Sequence, residues 1–467
     1  MTTIPAPRFD LTTTDLPPPA GTAAVSRRLL LAGAAGLVAL RAGRASAQTA
    51  EITVDRARTA PIPIAIPMFN APGGDAARLA RDIAGVVSNN LARSGLFRPI
   101  DPAAFINANT AGDVPNFANW KAIGAQALVT GKVDNAGGDK LRVEFRLWDV
   151  LPQAQIQGTA YTATLSNWRR IAHIISDVIY ERLLGEKGYF DTRIVYVAGS
   201  GPRDRRVKRL AVMDQDGERN QFLTDGSFLV YSPRFHPTRD QITFMSYVNN
   251  RPRVYLFDLG TGRQQMLGNF GEMTLSPRFA PDGNSVVMAQ TVGNGAEIFT
   301  VGLGGGGVRK LTESGGAIDV SPCYSPDGTQ IVFNSDRGGD QQLYVMGADG
   351  GGVRRISYGQ GRYATPVWSP RGDLIAFTRF NASNFAIGVM RPDGSGERIL
   401  SESFFAEAPT FAPNGRVIMF TRETPARNAR GDGYSSRIVS IDITGFNERV
   451  VATPTDASDP AWGPLQQ

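Results

Sequence analysis

A single cysteine, Cys323, in 467 residues leaves no disulfide framework, no cysteine-based zinc site and no paired redox thiols. Only His173 and His236 are present, which argues against a histidine metal cluster. Long apolar runs are also scarce: the run after Arg28 ends near Leu40 after about 12 residues, whereas a bilayer span needs roughly 20. An excess of charge of one sign is nearly missing, with 49 Lys and Arg against 43 Asp and Glu. Of the formal +6, half comes from the first 47 residues, where five arginines face two aspartates; the weak remainder gives no case for nucleic acid. No Gly-x-Ser-x-Gly elbow occurs and only three residues follow the last repeat described below, so an appended serine-peptidase domain is not expected.

What is abundant is glycine and proline, at 52 and 30 residues, with no Gly-X-Y period, in a chain that is 42% hydrophobic and 20% charged. That is a globular composition with many turns, and hence many short strands. At the N-terminal end, Ser26-Arg27-Arg28-Leu29-Leu30-Leu31 opens the short apolar run, and Ala45-Ser46-Ala47 supplies small residues for cleavage. The arginine pair, with Arg41 and Arg44 after the run, resembles a twin-arginine export leader; an ordinary Sec signal is the alternative. Residues 1–47 are therefore expected to be a removed leader, residues 48–60 an N-terminal segment, and the mature protein is expected to be periplasmic.

Residues 61–187 mix helical and strand periods. Ile62 to Phe69 is a β-rich run. Leu79, Ile83, Val86, Val87 and Leu91 fall at helical spacing before Gly95. Ile171, Ile175, Val178, Ile179 and Leu183 mark a second helix, with Ser166 as N-cap and Gly185 as its stop. Ala127 to Val133, Leu141 to Val150 and Gln155 to Thr164 read as strands, which completes a small α/β domain.

From residue 188 to 467 a repeat takes over. Pro-x-aromatic-x-Pro occurs six times, beginning at Pro233, Pro277, Pro322, Pro366, Pro409 and Pro460, at spacings of 44, 45, 44, 43 and 51 residues. Each full unit continues through a Pro-Asp-Gly-type turn, two alternating strands, an Asp-Gly-type hairpin and a third strand. Four strands per 40–45 residues is the period of a β-propeller blade. Proline cannot donate to a ladder, so the proline-bracketed strand is placed innermost, with its free edge on the tunnel and its aromatic wedged against the next blade. Arg193 to Ala198, Arg209 to Met213 and Gln221 to Thr224 form three strands that lack an inner one, and Pro460 to Pro464 is an inner strand that lacks the other three. The last strand should complete the first blade and close a six-bladed ring.

With these units, Gly188-Tyr189-Phe190-Asp191-Thr192-Arg193-Ile194-Val195-Tyr196 at the entry to the propeller, and an α/β domain behind an export leader, the chain resembles the TolB family of the Tol-Pal cell-envelope system over nearly all of residues 50–464. The resemblance implies a non-enzymatic monomeric adaptor that uses no cofactor or metal and meets membranes only through its partners. Such an adaptor supports outer-membrane integrity and constriction at division. The resemblance further implies that the propeller mouth docks the lipoprotein Pal and that the mature N-terminus engages TolA. Mapped here, the Pal surface comprises Glu272, Met273, Thr274, Leu275, Ile318, Asp319, Val320, Arg362, Tyr363, Ala364, Phe404, Phe405 and Glu407, while the TolA segment comprises Glu51, Ile52, Thr53, Val54 and Asp55. Competing classes are a propeller lyase or lactonase acting in its own tunnel, and a peptidoglycan-binding module.

Several features have plainer readings. The run Arg203 to Arg209 reads as a solvated hairpin tip and not an anion patch. Asp214-Gln215-Asp216-Gly217-Glu218 lacks the late bidentate Glu of a calcium loop and falls where blades have hairpins. His236 occupies a place where other repeats have Ala, Ser or Gly, and is read as accommodated, with a tunnel-facing role as the alternative. Cys323 is read as a small buried side chain. Residues 422–436 are expected to be an extended surface loop.

Overall fold

The computed structural model describes residues 10–19, 60–106, 114–202, 205–248, 251–268, 270, 272–304, 306–425 and 433–466. The leader's arginine pair, its cleavage region and the segment Glu51 to Asp55 lie outside these residues. The chain divides into two compact units, at Phe190/Asp191. No helix among the described residues is long and apolar enough to cross a membrane.

The first unit is a six-stranded sheet in the order β1 (Thr12–Asp15), β6 (Ala154–Thr164), β5 (Lys140–Asp149), β4 (Ala127–Asn135), β2 (Ile62–Ala65) and β3 (Phe97–Pro99). Helix α1 (Gly74–Ser94) buries Leu79, Ile83, Val87 and Leu91 and ends at Gly95, whose φ of 74° gives the left-handed stop that the sequence indicates. Helix α3 (Trp168–Leu184) buries Ile171, Ile175 and Ile179 and stops at Gly185 in the same way. Asn90 of α1 donates to Ser176 of α3 at 3.0 Å and is hydrogen-bonded to His173 Nδ1 at 2.9 Å, which joins the buried helix faces. Ser166 is not the N-cap: a 3-10 turn, Leu165–Asn167, intervenes, and the Ser166 hydroxyl hydrogen-bonds to Thr164. Helix α2 (Phe117–Ala122) sets Phe117 edge-on to Trp148 at 5.7 Å.

Strand β1 is the unexpected element. It lies within the residues read as leader, yet Thr12 to Asp15 pair antiparallel with Thr162 to Thr159. Three successive β-branched threonines suit an extended edge.

The second unit is a ring of six four-stranded antiparallel sheets. The strand Asp456–Leu465 pairs with Thr192–Ser200, so the last strand of the chain is the inner strand of the first blade. Trp462 Nε1 donates to Thr192 Oγ1 at 2.8 Å, and Gln466 donates both to the Asp191 carbonyl at 2.9 Å and to its carboxylate at 3.0 Å. Asp191 and Thr192 of the entry motif thus latch the chain's end. Apolar cores run continuously between blades: Val332, Leu343, Trp368, Phe377, Phe411 and Phe420, drawn from three sheets, belong to one buried cluster.

Each inner strand carries the same irregularity. The residue before the first proline has a left-handed φ in all six blades: Ser232 49°, Ser276 51°, Ser321 56°, Thr365 46°, Ala408 55° and Asp459 50°. The pairing register slips at that point in every blade. The proline therefore sits in a β-bulge where its missing N–H is not called for, and the bulge turns the strand along the tunnel.

The outer loops differ in part from expectation. Of residues 422–436, those at the two ends are ladder and not loop, since Glu423, Thr424 and Pro425 pair with Ser436, Ser435 and Tyr434; residues 426–432 lie outside the described set. The basic run is also more engaged than a solvated tip: Arg206 pairs with Asp456, Lys208 lies 3.8 Å from the Tyr231 ring centre, and Arg209 Nε donates to the Asp225 carbonyl. Asp214 to Glu218 is a hairpin turn, with Arg219 bridging both Asp214 oxygens at 2.8 Å.

Candidate functional site

Counting back from each first proline, the pleat sorts the side chains. Three residues before it stand Val230, Thr274, Asp319, Tyr363, Ala406 and Ala457, all buried in their blades. Thr274, Asp319 and Tyr363 were expected on the docking surface, and the alternation of the strand turns them inward instead. Asp319 accepts from Arg337 Nη2 at 2.7 Å, and the Tyr363 hydroxyl donates to Glu397 at 2.9 Å. Burial and then the Glu397 carboxylate push the Tyr363 phenol up to about 12.

Four residues before the proline stand Leu229, Met273, Ile318, Arg362, Phe405 and Asp456, with Phe228, Glu272 and Phe404 one residue earlier. Phe228, Leu229, Met273, Ile318 and Phe404 are large apolar side chains with exposures between 39% and 53%. Large exposed apolar groups at two adjacent repeated offsets form a rim and not a scatter. Their backbones are fastened: Ile318 N donates to Asp336 Oδ1 at 2.7 Å, and Arg253 Nη1 donates to the Glu272 carbonyl at 2.9 Å. Arg362 pairs with Asp340, and Phe404 stacks on Tyr434 with ring centres 5.5 Å apart. Phe228, Leu229 and Tyr434 were missed from sequence. The repeat offset alone would have found the first two, and the Tyr434 stack has no sequence signal.

Below the rim, Leu275, Val320, Ala364 and Glu407 share the position two before the proline and are only partly buried, next to the bulge residues. A cavity of about 180 Å³ is lined by all six bulge residues together with Arg234, Arg278 and Glu407. Burial, followed by the Asp459 and Glu423 carboxylates, raises Glu407 to about 7. Burial and the neighbouring Arg278 bring Arg234 down to about 9, so it remains a cation at neutral pH. A second cavity of about 230 Å³ reaches the same two arginines from the other end, lined by Phe235, Phe279, Tyr324, Trp368 and Trp462.

His236 does not face this space. It is buried against Phe279, its Nδ1 accepts from the backbone N–H groups of Thr238 and Arg239, and its Nε2 therefore donates to the Gly283 carbonyl at 3.0 Å. Burial lowers its pKa, in keeping with a neutral structural imidazole. Cys323 is buried at the tunnel wall and accepts from Trp368 N.

A closed six-bladed propeller with a repeated apolar rim, preceded by a mixed α/β unit, defines a two-domain propeller protein. A family model described as the TolB beta propeller domain matches residues 180–466, and one for the TolB amino-terminal domain matches residues 50–156. The Tol-Pal system protein TolB of Paramagnetospirillum magneticum is 56% identical over 444 residues, covering 94% of this chain and 99% of its own. That of Gluconobacter oxydans is 55% identical over 415 residues, covering 89% and 88%. The crystal structure of TolB from Acinetobacter baumannii superposes with a TM-score of 0.74 at 28% identity, covering 86% of this chain and 97% of that one. The chain belongs to the TolB family and is a Tol-Pal system component.

Proposed function

We propose that the protein is a non-enzymatic periplasmic adaptor which docks the lipoprotein Pal on the apolar rim of its propeller and engages TolA through Glu51 to Asp55. In this role it supports outer-membrane integrity and constriction at division. The observation that carries the reading is the rim itself: Phe228, Leu229, Met273, Ile318 and Phe404 stay exposed just ahead of a ring of strand positions, three before each proline, whose side chains are all buried. Arg362 adds a cation for an acidic partner group. Glu272, Leu275, Val320, Ala364 and Phe405 frame the same mouth, whereas Glu407 lies in the tunnel wall and acts on the mouth only through charge.

The test is Pal binding by calorimetry with Phe404→Asp and Met273→Asp. Each places a charge in an apolar contact centre, and each should weaken binding by about 2 kcal/mol or more while the melting temperature is kept. Unchanged affinity in both would overturn the assignment. Removing residues 48–55 should abolish TolA capture and leave the propeller folded; retained capture would show that the TolA site lies elsewhere.

A further inference from the structure

In the first unit the edge of β6 is a built receptor for an extended chain. Thr12 to Asp15 pair along it, and Leu16 N continues the ladder to the Gly158 carbonyl at 2.9 Å. Beyond the ladder, two side chains hold the backbone of the seated segment: Gln155 Nε2 donates to the Leu16 carbonyl at 3.1 Å, and Arg146 Nη1 donates to the Pro17 carbonyl at 2.7 Å. Arg146 Nη1 also donates to Gln155 Oε1 at 2.6 Å, so the pair is set as one clamp, and Gln155 is buried. Gly158 makes room: a Cβ there would stand 2.7 Å from the Leu16 carbonyl oxygen and 2.6 Å from Gln155 Nε2. Every bond to the seated segment reads its main chain, which is how a sheet edge recognises a peptide by strand addition.

The seated segment precedes Arg27-Arg28 and the cleavage region, so removal of residues 1–47 takes it away and leaves the β6 edge, Gly158 and the clamp without their occupant. We propose that this edge is a strand-acceptor site: the leader's own segment fills it before processing, and an extended segment of a partner protein fills it afterwards. The partner segment has the chemistry of the one now seated, a β-branched, acid-flanked run followed by proline, which ends the pairing because it cannot donate. The proposal rests on the leader being removed, and it is independent of Pal docking on the propeller.

The experiment compares the full chain with a chain beginning at residue 48, using as probe a fluorescent synthetic peptide of residues 10–19. The shortened chain should bind the peptide and gain hydrogen-exchange protection at residues 158–162. The full chain, whose tethered segment competes at an effective concentration of order millimolar, should bind it at least about tenfold more weakly. Arg146→Ala, on a half-buried side chain, should weaken peptide binding to the shortened chain at unchanged melting temperature; Gly158→Val should abolish it and serves as a second variant. Equal binding to both chains, no binding to the shortened chain, or protection outside β6 would each overturn the proposal. So would concentration-dependent dimerisation of the shortened chain with β6 protected in the dimer, since the edge would then belong to a second copy.

Discussion

Glu407 in the tunnel wall should make the propeller less stable as the pH rises, and Glu407→Gln should remove that loss. The folded chain holds the Glu407 proton until about pH 7, against an ordinary value of 4.5, chiefly because burial disfavours the anion and then because Asp459 and Glu423 stand near it. Between these two values the unfolded chain releases a proton that the folded chain keeps, so the folded state loses stability with increasing pH across this window and is level above it. An interval of about 2.5 pH units corresponds to about 3 kcal/mol at most. Glutamine is isosteric and cannot ionise. The variant should therefore match the parent below about pH 4 and exceed it by up to about 3 kcal/mol above about pH 7.5. For a unit of roughly 280 residues, with about 2.1 cal/mol/K of unfolding entropy each, that is about 5 °C in melting temperature. Scanning calorimetry of both proteins at a series of pH values from 4 to 8 measures the difference directly. A difference that is the same at every pH, or a variant less stable than the parent at pH 8, would refute the reasoning. Asp459→Asn provides the control, because removing one of the neighbouring carboxylates should shift the upper end of the window to lower pH.

Other perturbations have equally definite outcomes. Gly350→Ala places a Cβ 2.3 Å from the Leu311 carbonyl oxygen at a φ of 94°; urea unfolding should show a loss of about 2–4 kcal/mol. Trp462→Ala removes the latch to Thr192 and should cost about 3–5 kcal/mol, with faster amide exchange in Thr192–Ser200 than in the other blades. Arg416→Met strands Asp442, which is buried and paired to Arg416 at 2.6 Å; it should destabilise by about 3–5 kcal/mol, and adding Asp442→Leu should recover most of that. In an alkaline absorbance titration of the full chain, with residues 1–47 retained, Tyr161 and Tyr363 should ionise near pH 12, each held up first by burial and then by a carboxylate, Asp15 and Glu397 respectively.

The six blades and their closure were legible because each repeat states its register twice, in two prolines and an aromatic. What the prolines do was only partly legible. A free tunnel edge accounts for a strand that cannot donate, but the bulge depends on a left-handed residue, and Ser, Thr, Ala and Asp at that place share no composition that would announce it. The rim was read loop by loop, which swept in Thr274, Asp319 and Tyr363; a count of the pleat from the proline puts these three inside and Leu229 outside. Strand β1 was hidden for another reason: an export leader is recognised by its arginines and apolar run, and nothing in that signal bears on whether the residues ahead of it pair with a sheet.

The tunnel shows what alignment of the repeats reveals that net charge conceals. At the position after each first proline stand Arg234, Arg278, Cys323, Val367, Thr410 and Ala461, and one bulge ring away stand three serines, Thr365, Ala408 and Asp459. The two arginines belong to neighbouring blades, while Glu407 and Asp459 belong to the two blades that precede them around the closed ring. Cation and anion therefore occupy adjoining arcs of one wall, with Asp459 favouring the charge on Arg234 and disfavouring the charge on Glu407. A tunnel with paired signs along its whole length would present no field at its mouths; one with its carboxylates toward the rim and its guanidinium groups deeper is polar along its axis. The Asp459→Asn variant acts on both arcs at once, so it should move the Glu407 titration and make Arg234 easier to deprotonate, two changes in the same direction from one removed charge.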